Sequence, residues 1–288
     1  YINCVAFAPH GGRLATGSDD KAVLIWSIAG RFLLKLFGHT KPVRCVKFSP
    51  DGQFLVSGSA DCSVKVWSCA GKQLHTLTGH SKSVRCVAIS LDSTTILSGS
   101  RDKTIRIWTS SGQCLKTLRE DTDSINDLNF APDGKTFASG SVDKTVRVWT
   151  IEGDHLQTFD GHTGYVNAVA FRQMEMLVSG GQDGTVRVWN REAERQKTPG
   201  GHTNYISTVA VSCDGSFFVT GGYDKCVKMW NLSGEHLWTV EAHSDQVKAL
   251  HVSPNNLIAS GSNDRTLKFW DVSGELKEEI DVGSPVNT

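Results

Sequence analysis

Histidine, serine and aspartate recur in this chain in a combination that could build a nucleophile. His39, Ser57 and Asp61 form one set, and His80, Ser98 and Asp102 a second. His162, Ser179 and Asp183 follow, then His202, Thr220 and Asp224, then His243, Ser260 and Asp264. A Ser-His-Asp relay uses the hydroxyl to attack, the imidazole as base and the carboxylate to orient it. An enzyme needs that constellation once, and here it stands five times in equivalent places. Each set also carries a tryptophan, Trp67, Trp108, Trp189, Trp230 or Trp270, which no nucleophile requires. The repeated residues therefore read as structure, and no residue is assigned a catalytic role. Gly134-Lys135-Thr136 resembles the end of a phosphate loop, but Asn129 stands where the earlier glycine belongs. It reads as a turn after Pro132-Asp133. No H-E-x-x-H, Cys/His metal set or EF-hand loop is present, so no metal or cofactor site is expected.

The spacing shows what must position these residues. Tryptophan recurs at 26, 67, 108, 149, 189, 230 and 270, in steps of 40 or 41, and only Trp238 lies off that comb. A fixed period of this size means stacked copies of one unit that cannot bury its own apolar faces alone. The stretch from Gly38 to Trp67 is its clearest copy. Short β-branched and aromatic runs, with Val46 and Phe48 on one face and Cys45 and Lys47 on the other, suit strands. Turn chemistry separates them at Ser49-Pro50-Asp51-Gly52, Ala60-Asp61-Cys62-Ser63 and Ser68-Cys69-Ala70-Gly71. A fourth strand, Gln73 to Thr78, leads to the next Gly-His. Four antiparallel strands per copy are expected.

Gly38-His39, Ser57, Asp61 and Trp67, with their counterparts in the other copies, give the chain a close resemblance to the WD-repeat β-propeller family. The resemblance covers nearly all 288 residues. The dipeptide behind the family's name occurs once, as Trp270-Asp271, and Ala242 stands where glycine usually precedes the histidine. The resemblance implies an all-β fold: a seven-bladed β-propeller of four-stranded antiparallel sheets. It implies a single domain over 1–288, with blades over about 1–37, 38–78, 79–118, 119–160, 161–200, 201–241 and 242–283. It also implies that His, Ser/Thr, Asp and Trp of one repeat form a hydrogen-bonded chain. Tryptophan only donates, a hydroxyl does both, neutral imidazole donates from one nitrogen and accepts on the other, and the carboxylate ends the chain.

Two copies depart from the pattern. In the fourth, Leu118-Arg119-Glu120-Asp121 replaces the Gly-His, leaving Ser139, Asp143 and Trp149. Asp121 would repel Asp143 and is expected to turn outward. The first copy keeps Thr16, Asp20 and Trp26 without a histidine. These two blades are expected to be the least rigid. In the fifth copy the outer strand, Arg191 to Pro199, is rich in charge, as suits an edge. Trp238 is read as a rim residue. Pro285-Val286-Asn287 aligns with Tyr1-Ile2-Asn3, so 284–288 restarts an inner strand. Either that segment competes with the first strand to fasten the ring, or the chain belongs to a longer array.

Composition sets bounds on the class. Lys+Arg equals Asp+Glu at 30 each. A zero net charge argues against broad nucleic-acid or membrane-surface binding, which needs a basic excess. None of the eight cysteines makes a C-x-x-C pair, and Cys4, Cys45 and Cys86 occupy one slot of three successive copies, as small buried thiols would. A reducing compartment follows, the cytoplasm or alternatively the nucleus.

If the copies are blades, three positions per copy face one mouth of the ring, and the resemblance implies that these often carry partner contacts. The first set is Asn3, Arg44, Arg85, Asn126, Asn167, Ser207 and Lys248. The second is Tyr1, Pro42, Ser83, Ser124, Tyr165, Tyr205 and Gln246. The third is Asp19, Ala60, Arg101, Val142, Gln182, Tyr223 and Asn263. All four tyrosines fall in these sets. Tyrosine and arginine are the residue types most enriched at binding hot spots. The expected site is a mouth with a basic arc, Arg44, Arg85, Arg101 and Lys248, and an aromatic arc, Tyr1, Tyr165, Tyr205 and Tyr223. It suits an acidic or aromatic segment of another protein. The expected function is a noncatalytic, monomeric interaction module within a larger protein. The alternatives are an enzyme or a nucleic-acid-binding ring that uses the central channel.

Overall fold

The apolar runs do form strands, and the turns close where proline, glycine and aspartate stand. In the computed structural model, which describes residues 1–119, 123–173, 176–190, 195–197, 201–231 and 233–282, the second copy folds as Val43–Phe48, Phe54–Ser59, Val64–Ser68 and Gln73–Leu77. These pair antiparallel, each with the next, into one sheet. Gly52, at φ +71°, closes the first turn with its N–H on the Ser49 carbonyl at 2.9 Å. Seven such four-stranded sheets are present, and no helix forms among the described residues. Hence no helix is long and apolar enough to cross a membrane.

The sheets stand around a channel. The first strands, Ile2–Phe7, Val43–Phe48, Val84–Ile89, Ile125–Phe130, Val166–Gln173, Ile206–Val211 and Val247–Val252, line it. Each contacts the next, and the seventh meets the first. Burial follows from this arrangement. Phe54–Ser59 is buried at every position because both faces of its sheet are covered by neighbouring blades. The outer strand Gln73–Leu77 is exposed until its last residue. The core is divided among the blade interfaces. Ala15, Val23, Ile25 and Leu36 of blade 1 close on Val43, Val46, Leu55 and Trp67 of blade 2. Phe7, Leu14 and Trp26 close the ring against Ala259, Leu267 and Phe269 of blade 7.

One glycine per blade lets neighbours approach. A Cβ on Gly58 would lie 2.6 Å from Cys45 Sγ in its own blade and 2.7 Å from Val84 Cγ1 in the next. Gly58→Ala is therefore expected to force blades 2 and 3 apart and to cost roughly 1–3 kcal/mol. Urea unfolding checks this, and an unchanged midpoint and slope would mean the interface has slack.

Asp121 and the 284–288 segment lie outside the described residues, as does most of Arg191–Pro199, of which 195–197 pairs as an outer strand. Trp238 is half-buried, and its indole N–H donates to the Val272 carbonyl of blade 7 at 2.9 Å. It ties two outer rims together.

Candidate functional site

The five complete tetrads are closed chains. In blade 2, Trp67 Nε1–H donates to Ser57 Oγ, Ser57 Oγ bonds His39 Nε2, and His39 Nδ1 bonds Asp61 Oδ2, each at 2.8 Å. The carboxylate places the proton on Nδ1, so the hydroxyl donates to Nε2. The counterparts in blades 3, 5, 6 and 7 span 2.7–2.9 Å. Burial alone would raise the Asp61 carboxyl. Hydrogen bonds from Ser63, the Thr40 N–H and His39 overcome that and hold it at about 2. Burial lowers His39 and His243 despite their carboxylates, so these imidazoles stay neutral. All five hydroxyls, of Ser57, Ser98, Ser179, Thr220 and Ser260, are 0% exposed. They face tryptophan and histidine, with no access for a substrate.

The two incomplete tetrads resolve differently. In blade 4, Arg147 Nη1 donates to Asp143 Oδ2 at 2.8 Å. The cation four residues on replaces imidazole, whereas its counterpart Arg106 reaches the Gly79 carbonyl. Blade 1 has Leu24 at that slot. Among the described cations its Asp20 meets only Lys35, at 3.8 Å, with 48% of its side chain exposed. Trp26 and Trp149 still donate to Thr16 and Ser139.

The mouth is built by a repeated irregularity. In every first strand the pairing skips one residue, as where Val43 pairs Ser59 and Cys45 pairs Gly58. The skipped residues are Asn3, Arg44, Arg85, Asn126, Asn167, Ser207 and Lys248. A bulge re-aims its side chain, and all seven line one cavity of about 610 Å³ at the channel mouth. The second and third sets are tied to each other at the same end. The Ala60 N–H bonds the Pro42 carbonyl, Arg101 that of Ser83, Gln182 that of Tyr165 and Tyr223 that of Tyr205.

The bulged residues then divide by type. The amides of Asn3, Asn126 and Asn167 donate to the next blade's Val43, Val166 and Ile206 carbonyls at 2.7–2.9 Å. Ser207 does the same to Val247. These four are staples between blades rather than free contact groups. Arg44, Arg85 and Lys248 are not seen to make that bond. Arg44 Nη1 pairs with Asp19 at 3.2 Å, and Arg85 Nη1 bonds the neutral Asn126 Oδ1 at 3.0 Å. Burial, and then the field of Arg101, lowers the Arg85 guanidinium from its usual range.

Arg44, Arg85, Arg101, Tyr223 and Lys248 thus share one cavity. Lys41, which sequence reasoning passed over, joins them. The Lys248 ammonium lies 3.8 Å from the Tyr223 ring centre, and Tyr205 packs on Tyr223 at 5.6 Å. Tyr165 and Tyr205 are exposed beside the cavity without lining it. Tyr1 lines a separate space of about 330 Å³ near Asp20 and Arg265.

Below the mouth the channel wall carries Cys4, Cys45, Cys86 and Asp127 in one slot of four successive blades. Burial pushes Cys4 up to about 12, and Cys45 and Cys86 well above their ordinary range, so these thiols stay protonated. All eight cysteines are free. Asp127 is a half-buried carboxyl that the sequence reading overlooked, although aligning that slot across the copies would have exposed it. Among the described residues, no three His, Cys, Asp or Glu side chains cluster to hold a metal ion.

Seven four-stranded sheets closed about a channel, five of them locked by a Trp–Ser/Thr–His–Asp chain, define a seven-bladed β-propeller of the repeat type. The chain belongs to the WD40 family. The family described as WD domain, G-beta repeat, matches residues 1–27, 30–68, 71–109, 112–150, 153–190, 193–231 and 234–271. From the second on, each matched repeat runs from the outer strand of one blade to the third strand of the next. A solved structure titled "Structure of U3-55K" is 24% identical, with a TM-score of 0.82 over 91% of this chain and 88% of that one. At that identity the likeness shows the fold alone. No curated protein matches.

Proposed function

We propose that this propeller is a noncatalytic protein-interaction scaffold that binds a partner segment at the channel mouth. One observation carries the reading. Seven bulged residues converge on a cavity whose lining includes Lys41, Arg44, Arg85, Arg101 and Lys248 and, among the described residues, no carboxylate, in a chain of zero net charge. WD40 propellers generally bind other proteins, and a platform of this kind takes its specificity from the residues that vary between repeats. Here those are the cations of blades 2, 3 and 7 and the tyrosines of blades 5 and 6. An acidic or aromatic segment matches them. The domain acts as a monomer, as the recognition part of a larger protein. Eight free thiols favour a reducing compartment, the cytoplasm or the nucleus.

The test is affinity capture with the parent propeller beside an Arg44→Ala/Arg85→Ala/Arg101→Ala triple variant and an Arg85→Ala/Tyr205→Ala double variant. Each variant is expected to keep its melting temperature within a few degrees and to lose at least about tenfold of the captured partner, since hot-spot truncations cost more than 1 kcal/mol each. Undiminished capture by both folded variants would remove the mouth from the binding surface.

A further inference from the structure

Among the described residues, the cations at the mouth outnumber the anions that meet them. Of Lys41, Arg44, Arg85, Arg101 and Lys248, only Arg44 pairs with a carboxylate among the described residues, Asp19, and that contact is 3.2 Å long with both side chains more than a third exposed. Arg85 spends one N–H on a neutral amide oxygen. It lies half-buried with Arg101 and Arg44 near enough to depress its proton affinity. Like charges held together at a half-buried site repel, and that cost is relieved by a ligand bearing concentrated negative charge. A carboxylate brings one charge and two oxygens in a plane, which satisfies one guanidinium fork. A phosphomonoester brings about two charges and three oxygens pointing apart, which several forks can share. Arg44 and Arg85 reach the cavity from bulges on adjacent blades, and Arg101 from the turn of the second of these blades. That arrangement suits three diverging oxygens better than a flat pair.

We propose that the mouth binds a phosphate dianion, carried on a phosphorylated side chain of the partner segment and seated among Arg44, Arg85 and Arg101. The inference rests on the mouth being the binding site. The exposed Tyr205 ring, tilted at 49° against Tyr223 at the cavity edge, favours a peptide source, because it offers an apolar face to residues flanking the phosphate. Lys248 is held against the Tyr223 ring and fixes that wall.

The test uses the whole propeller and two immobilised degenerate peptide libraries, identical except that one carries phosphoserine and phosphothreonine. The phosphorylated library is expected to retain the protein at least tenfold better than its unphosphorylated twin. Arg101→Gln is expected to lose at least tenfold of that retention with an unchanged melting temperature, and Lys116→Gln, on an exposed outer strand, none. Equal retention by the two libraries, or full retention by Arg101→Gln, overturns the proposal. Partner capture that still falls in the triple variant would then leave the broader reading standing. Titration with inositol hexakisphosphate separates the sources. Stoichiometric, Arg101-dependent binding of it with neither library retained assigns the phosphate to a free small molecule and overturns the peptide source. Retention of single-stranded RNA, lost steeply with salt, in place of either library overturns the proposal in favour of nucleic acid.

Discussion

Replacing Trp67 with alanine is expected to cost about 3–5 kcal/mol of stability, the ordinary range for deleting a large buried aromatic. The indole is 1% exposed and, with Val43 and Val46 of its own blade, packs across the interface on Ala15, Val23 and Ile25 of blade 1. Its loss opens a cavity between two blades and removes the donor from Ser57 Oγ. Smaller changes separate the polar part of that loss. Asp61→Ala removes the acceptor of His39, the Thr40 N–H and Ser63 in one step, and about 2–3 kcal/mol is expected for a charged acceptor with several donors. Asp20→Ala is expected to stay within about 0.5 kcal/mol, because its carboxylate is half exposed and no imidazole reaches it among the described residues. Denaturant unfolding of the variants measures all three, and equal losses at 61 and 20 would mean the tetrad adds nothing beyond its location. Acid provides a second check. Asp61 titrates at about 2 in the fold against 3.8 when unfolded. Its contribution is complete above about pH 4 and lost as pH falls toward 2, and Asp61→Ala should erase that part of the acid transition.

The seven-bladed ring was legible because tryptophan marks every copy and the period fixes which residues are equivalent. Equivalence also located the mouth: the slot after Val43 turned out to be a bulge in all seven blades. What the period could not show is what lies within reach of each bulged side chain. Asn3, Asn126, Asn167 and Ser207 share that slot with Arg44, Arg85 and Lys248, yet they are the right length to reach the next blade's carbonyl and so become joinery. Arg147 shows the same limit. Its counterparts outside blade 1 look like generic surface cations in sequence, and in blade 4, which lacks the histidine, Arg147 takes up Asp143 instead. Stacking buries the middle strand Phe54–Ser59 on both faces, polar Ser57 and Ser59 included, which apolar alternation within one copy does not show. Tyr1, Tyr165 and Tyr205 fall in the mouth-facing set by alignment and still miss the cavity, although Ser83 of the same slot lines it.

Asp127→Thr is expected to stabilise the propeller at pH 8 by about 2–3 kcal/mol. Asp127 is a half-buried carboxyl in the channel wall, pushed up to about 6 by desolvation, with the Val169 N–H, Lys47 and the Leu128 N–H offsetting only part of that cost. A carboxyl that ionises at 3.8 unfolded and at about 6 folded leaves the native state about 3 kcal/mol less stable once ionised, at 1.36 kcal/mol per pH unit. Because the folded value is the higher one, the native state binds the extra proton between about pH 6 and pH 4. The parent therefore gains stability as pH falls through that window, and the penalty is complete above it. Threonine suits the site, since Thr208 occupies the same slot two blades on and accepts the Leu250 N–H at 3.2 Å, as Asp127 accepts that of Val169 at 2.9 Å. The substitution keeps the bond between blades and removes the charge. The Leu128 N–H loses its acceptor, which trims the gain toward the lower figure. Urea unfolding at pH 8, 6 and 4.5 should show the variant's advantage largest at pH 8 and shrinking toward pH 4.5. A gap that does not change with pH would place its origin in packing, and a less stable variant at pH 8 would mean that Lys47 and the two N–H donors already balance the buried charge.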